Sequence, residues 1–345
     1  MPFDQQRRLH PEKTNLSLEN LRTKLLVSLA LGVIVVFVLM VYADFSKMLD
    51  GFGRFKWEYL PIILGLTLLN YLLRYVKWHY YLGLIGAGHV NRFDSFLMFF
   101  SGLSMVMTPG KVGEWLKSYL LREIGGTPIS RSAPIVVAER LTDGVAMLIL
   151  ASGGLVIFKL GWEILLFVFL LAAAIVAVSQ HRGLALRILS LGERIPLLAN
   201  RMHHLHDFYE SSHTLFRGRN LAVAIGLGFV SWSGECIAFY FVLTGLGVTG
   251  DPILLVKASF ILAAATLAGS VFLLPGGLGV AEGGITGLAQ ILIGMPKDLA
   301  AVAALLIRFC TLWFGVSLGV VTLLIITKRI GNHQVAYGRE EASAR

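Results

Sequence analysis

The feature that most constrains this chain is a series of apolar runs long enough to carry an α-helix across a hydrocarbon layer ~30 Å thick, which takes roughly 20 residues. They fall at residues 25–41, 60–84, 133–158, 164–178, 221–246 and 299–327, so at least six crossings are expected. Two further apolar stretches, 93–123 and 253–294, are each broken near the middle by a Pro-Gly pair. Each is expected to form two short helices, either as a re-entrant hairpin or as closely spaced crossings. Only 15% of residues are charged and mean hydropathy is +0.72, against about 25% charged in an ordinary soluble domain. The expected fold is therefore an all-α polytopic membrane protein, and a soluble reading is excluded.

The first run follows a polar segment without a small-x-small cleavage site, so a retained anchor is expected. The net charge of +9 is explained by its placement rather than by a nucleic-acid partner, because Lys and Arg collect on cytoplasmic loops. Arg7, Arg8, Lys13, Arg22 and Lys24 precede the first run, and Lys328, Arg329, Arg339 and Arg345 follow the last. Between them, segment 180–220 carries Arg182, Arg187, Arg194, Arg201, Arg217 and Arg219. The opposite side holds mainly Lys47, Arg54, Lys56, Lys159 and Lys297, so both termini are expected in the cytoplasm. Leucines interleaved with arginines make 180–220 an amphipathic loop lying along the headgroups. Its histidines, His203, His204, His206 and His213, read as solvated, since no recognised ligand spacing joins them. Cys236 and Cys310 fall in spans and read as reduced, packed thiols.

A long-range self-similarity organises the chain. Pro109-Gly110-Lys111-Val112-Gly113-Glu114 resembles Pro275-Gly276-Gly277-Leu278-Gly279 with Glu282 three residues on, and each glutamate is followed twenty-six residues later by an arginine, Arg140 or Arg308. This defines a first repeat over about 57–158 and a second over about 220–327. The number of crossings between corresponding points is odd, so the repeats are expected to face opposite sides, as in many transporters.

Proline removes a backbone hydrogen bond and glycine loosens the chain further, so Pro109, Gly110 and Gly113, and Pro275, Gly276, Gly277 and Gly279, are expected to break helices. In hydrocarbon, such breaks are tolerated only where protein or a watery cavity surrounds them. A helix restarting there presents N–H groups to an anion, and Lys111 stands beside the first break. Around the breaks cluster Glu114, Lys117, Glu139, Arg140, Asp143, Glu235, Glu282 and Arg308, each costing on the order of 3 kcal/mol if buried alone at a helix centre. They must pair or face water. The equal spacing suggests Glu114 with Arg140 and Glu282 with Arg308, either as gates around a headgroup site or as ties between helices.

Weaker patterns are set aside. Gly315-Val316-Ser317-Leu318-Gly319 fits a nucleophile elbow, but it lies within a span and reads as helix packing through small residues. After Ser233 the only histidine is His333, which disfavours a serine protease, and no phosphate-binding loop, zinc-protease or dinucleotide motif occurs.

The Pro-Gly-x-Val/Leu-Gly…Glu elements, with Glu139-Arg140-Leu141-x-Asp143 after the first and Arg308 after the second, resemble the transmembrane region of lysylphosphatidylglycerol synthases over nearly all of the chain. That resemblance implies a flippase-like protein of a prokaryotic plasma (inner) membrane, moving a modified or anionic lipid between leaflets. The bifunctional members carry a soluble transferase domain after the membrane region, whereas this sequence ends at Arg345, so synthase activity is not expected. The leading expectation is a translocase for an anionic, aminoacylated or lipid-linked-sugar amphiphile, with no catalytic residue, metal or cofactor. The competing readings are a membrane-embedded transferase acting on a lipid-linked sugar, and a lipid-binding partner of a lipid-modifying enzyme. A homo-oligomer is left open.

Overall fold

The computed structural model describes residues 33–106 without 36, 43 and 44, then 108, 112–158, single positions between 163 and 180, 202–271 and 275–343. The basic N-terminal segment, most of run 164–178, loop residues 181–201, and Pro109, Gly110 and Lys111 lie outside the described residues, as does the Glu114 side chain.

Among the described residues every regular element is helical. In chain order they are α1 (Phe45–Arg54), α2 (Leu60–Leu84), α3 (Arg92–Leu103), α4 (Val112–Gly125), α5 (Ile129–Phe158), α6 (Met202–Leu215), α7 (Gly218–Gly245), α8 (Pro252–Val271), α9 (Val280–Ile293), α10 (Lys297–Arg308) and α11 (Phe314–Ser343). A π-helical segment, Phe309–Trp313, joins the last two. Local chemistry sets several starts. Proline occupies the first turn of α2, where its missing N–H costs nothing. The Asn91 side chain accepts the Phe93 N–H at 3.0 Å, and Asp251 Oδ1 accepts the Leu254 N–H at 2.5 Å, each satisfying a donor that a helix start leaves orphaned.

Among the described residues, four stretches are long and apolar enough to cross a membrane: Trp57–Leu84, Gly218–Gly245, Pro252–Ser270 and Lys297–Arg329. The expected crossing at 133–158 is a continuous 30-residue helix, α5. Its first half carries Arg131, Pro134, Glu139, Arg140 and Asp143.

The two broken stretches differ from each other. In the first, α3 has 12 residues and α4 has 14, about 18 and 21 Å at 1.5 Å per residue, short of the hydrocarbon thickness. Their outer ends meet, because a His89 ring nitrogen lies 3.0 Å from the Gly125 carbonyl. The second was expected to be two short helices as well, but its first arm, α8, has 20 residues and spans about 30 Å. The correction has a simple cause: nothing between Pro252 and Val271 interrupts the helix, so it runs until the chain approaches Pro275.

The two larger apolar cores among the described residues each join distant parts of the chain. One joins Trp78, Tyr81, Met98, Leu121 and Ile135 with Ile326 from α11. The other joins Phe239, Val242, Ile261, Ile285 and Ile307 with Met48 and Phe55 from the α1 region. Each core therefore borrows an element from the far end of the chain. Lipid tails are as apolar as leucine, so close packing rather than escape from water must hold such helices together. Ala300, Ala301, Val302, Ala303 and Ala304 are all 0% exposed, and these short side chains let neighbours approach α10 from every side.

The Gly315…Gly319 pair does the same on α11, as its spacing predicts. A Cβ at Gly315 would stand 2.5 Å from the Tyr71 hydroxyl, and one at Gly319 would overlap the Ser104 backbone nitrogen. Gly319→Ala must push α11 off the turn after α3, with an expected cost of about 1–3 kcal/mol. Thermal unfolding of the detergent-purified chain reads this as a lowered midpoint. Gly287→Ala, where nothing lies within 4 Å, is expected to be neutral or stabilising by up to ~1 kcal/mol.

Candidate functional site

The two helix breaks meet. Gly276 has φ 59° and ψ 13°, a left-handed conformation open to glycine at little cost. From it the Gly276 N–H donates to the Val106 carbonyl at 3.1 Å, joining the second break to the turn that follows α3. Arg308 completes the junction. Its Nη2 donates to the Gly276 carbonyl at 2.5 Å and its Nε to Glu282 Oε1 at 2.6 Å. The other carboxylate oxygen of Glu282 accepts the Gly279 N–H at 2.6 Å, capping α9. The Gly276 carbonyl and the Gly279 N–H are thus both satisfied by one ion pair, the pair expected from sequence spacing.

Beside this junction lies a cavity of about 140 Å³, well below the ~300–1,000 Å³ typical of sites for drug-sized ligands. It has room for a compact polar group. Arg74 from α2, Arg140 from α5 and Arg308 from α10 line it, together with Glu235, Trp232, Thr266 and Ser270. The Arg74 guanidinium sits 5.7 Å from the Trp232 ring centre, and its Nε lies 3.8 Å from Asp143 Oδ2. The Arg74 and Arg308 side chains keep 20% and 13% exposure, so both have surface facing accessible space. Guanidinium groups converging from separate helices suit the planar, bidentate recognition of phosphate or carboxylate.

The π-helical segment borders the same space. The Tyr71 hydroxyl donates to the Thr311 carbonyl, and Thr311, Leu312, Gly315 and Val316 line the cavity. A π turn shifts the helical register by one residue, and such turns recur at functional sites.

Other residues singled out from sequence are placed elsewhere. Lys117 pairs with Glu139 at 2.5 Å, and its ammonium lies 4.7 Å from the Trp78 ring centre and 5.3 Å from that of Phe99. This pair sits within the aromatic core around α2–α5 and does not line the cavity. Asp143 pairs with Lys77, whose ammonium also lies 3.3 Å from the Thr142 hydroxyl. Gly113 is the second residue of α4, directly after the first break.

Arg74 and Lys77 went unnoticed in the sequence because they lie inside a run read only as apolar. A signal was present. Thr67, Asn70, Tyr71, Arg74, Lys77 and Tyr81 recur at intervals of one, three or four, marking a polar stripe down one face of α2. Part of that face packs on α7, where Asn70 Nδ2 donates to the Ser231 carbonyl at 3.0 Å and the Ser231 hydroxyl to the Asn70 carbonyl at 3.3 Å, while Lys77 and Tyr81 reach Asp143 and Thr142 on α5.

The Lys117–Glu139 pair offers a direct test of its role as a tie. Lys117→Met leaves Glu139 buried without its cation and is expected to cost about 3–5 kcal/mol, whereas adding Glu139→Leu recovers most of that loss. Equal midpoints for the single and double variants in thermal unfolding would remove the pair from the account of stability.

Residues 25–319 match a family model described as the lysylphosphatidylglycerol synthase TM region. A UPF0104 membrane protein of Methanothermobacter thermautotrophicus is 26% identical over 314 residues, covering 85% of this chain and 90% of the relative. Another match under that name from the same organism is 23% identical over 343 residues, covering 90% and 95%. The matched region takes in both breaks, all three cavity arginines, three of the four apolar stretches of crossing length and most of the fourth. This multi-pass membrane protein belongs to the lysylphosphatidylglycerol synthase transmembrane-region family.

Proposed function

We propose that this protein is a lipid translocase that moves an amphiphile with an anionic headgroup between the leaflets of a prokaryotic plasma membrane. The observation that carries this reading is the cavity walled by Arg74, Arg140 and Arg308 where the two helix breaks join. A phosphate carried across bare hydrocarbon keeps its charge without its water, at a cost of several kcal/mol or more. Arginines inside the protein replace that water while the tails stay in lipid. The cargo is a phosphate-bearing lipid, with aminoacylated and lipid-linked-sugar headgroups as the variants within that class. The family's description, naming a lipid synthase's membrane region, supports a lipid as cargo.

Alternating access needs two halves that exchange roles. The matched Pro-Gly…Glu…Arg elements, the hydrogen bond from Gly276 to Val106 ahead of the first of them, and the contact of His89 with Gly125 support an inverted repeat with a re-entrant first segment. Basic residues at both ends of the chain and in 180–220 support cytoplasmic termini. The proposed activity breaks no covalent bond, and a lipid-modifying enzyme is its natural partner, supplying or consuming the cargo.

The test is reconstitution of the purified chain into liposomes with a fluorescent phosphatidylglycerol whose outer-leaflet fraction is bleached by a membrane-impermeant reductant. Wild type is expected to move the lipid faster than empty vesicles. Removing one charge-assisted contact is worth about 1.5–3 kcal/mol, so Arg74→Gln and Arg140→Gln are each expected to slow movement roughly 10- to 150-fold. Exposed Lys297→Gln is expected to match wild type. If wild type does no better than protein-free vesicles with any of several anionic headgroups, the translocase reading fails. Mass spectrometry of lipids from a strain lacking the protein separates transport from the transferase reading: unchanged lipid chemistry with altered sidedness supports transport, and a missing product supports the enzyme.

A further inference from the structure

We propose that Glu235 is a proton-binding site and that a proton and an anionic headgroup occupy the cavity together; the inference deepens the translocase reading and rests on it. Four carboxylates are buried among the described residues: Glu139, Asp143, Glu235 and Glu282. Glu139 is tied to Lys117, Asp143 to Lys77 and Arg74, and Glu282 to Arg308 and the Gly279 N–H. Glu235, 6% exposed, makes no hydrogen bond or ion pair with another described residue, and it lines the cavity. An ionised carboxylate buried without a partner is costly, and taking up a proton is the ordinary escape.

The surroundings of Glu235 turn that escape into a switch. From α2 it faces Tyr71 and Arg74, from α5 Arg140 and Asp143, and from α10 Arg308, while α8 presents Leu262 and Thr266, which do not titrate. The wall therefore holds cations that attract an anion and one carboxylate that repels it. Protonating Glu235 removes the repulsion, so proton and anion favour each other's binding, and the coupling is reciprocal. The sign is fixed: lower pH tightens anion binding, and anion binding tightens the proton. In transport, the headgroup's negative charge then crosses with a positive one, and an acidic compartment becomes the loading side.

The probe is dihexanoyl phosphatidylglycerol, a diester without the second phosphate proton that titrates near about pH 6. Its binding to the full chain in detergent is measured by calorimetry at intervals from about pH 5 to about pH 8. One linked proton changes apparent affinity by up to about tenfold per pH unit, tightest at low pH. Glu235→Gln is expected to bind with the low-pH affinity of wild type at every pH, and Glu235→Asp to restore a slope with a displaced midpoint. A flat wild-type profile overturns the proposal, as does a slope that survives in Glu235→Gln. Should the Gln variant not fold, an Asp variant with an unmoved midpoint overturns it.

If wild type binds no anionic lipid at any pH, the translocase reading falls and the proton site is judged separately by infrared titration. A protonated-carboxyl band that grows on acidification in wild type and is absent from Glu235→Gln supports the site; its absence from wild type refutes it. Dimethyl phosphate, the same diester without tails, separates a lipid site from a free-anion site. Equal affinity for both probes leaves the proton linkage standing and counts against lipid as cargo.

Discussion

The hydrogen bond from the Gly276 N–H to the Val106 carbonyl joins two places where the chain gives up helical bonding inside an apolar protein. Lipid offers no partner to a released backbone group, so such places survive only where other protein atoms or water supply one. Here each break supplies part of what the other lacks, and Arg308 with Glu282 supplies more of the rest. The positive φ at Gly276 is the local condition for this arrangement. A side chain there would meet the cost that L-residues incur in left-handed backbone, and the N–H would no longer point at Val106 without strain.

Charges in the described helices fall into two groups with different consequences. Lys117–Glu139 and Lys77–Asp143 are tight, buried pairs. Removing one member of such a pair leaves an uncompensated charge, whereas replacing both by apolar groups is often tolerated. They act as ties between α4 and α5 and between α2 and α5. Arg74, Arg140 and Arg308 instead border open space that Glu235 also lines, Arg308 while still tied to Glu282. What distinguishes the two groups is the direction in which the side chains point. Trp78 and Phe99 close over Lys117 and remove it from water, while Arg74 has Trp232 on one side and the cavity on the other.

Close packing places this site. Glycines on α11 let Tyr71 and the backbone of Ser104 come within contact distance, and the alanine run of α10 lets α1, α7 and α9 pack closely around it. With bulkier residues at the glycine positions α11, and the π segment and α10 that precede it, would stand further from α2. The arginines that α2 and α10 carry would then no longer share one small space. The π segment beside Thr311 belongs to the same geometry, since it sets the register between Arg308 on one side and Gly315 on the other.

Apolar length and composition alone determine that this chain is helical and membrane-embedded, because no other structure satisfies a backbone in lipid except a closed barrel. Pro-Gly punctuation locates the breaks, and a repeated spacing pairs Glu282 with Arg308, since both are properties of order along the chain. Three things were decided only by tertiary structure: the direct contact between the breaks, the pairing of Lys117 with Glu139, and the arrival of Arg74 at the cavity. All three depend on which faces of separate helices meet, and helices about as apolar as the lipid around them carry little hydrophobic signal of orientation. The polar stripe on α2 marks the buried face; that it turns toward α7 and the cavity follows from small-residue packing, which side-chain type alone does not reveal.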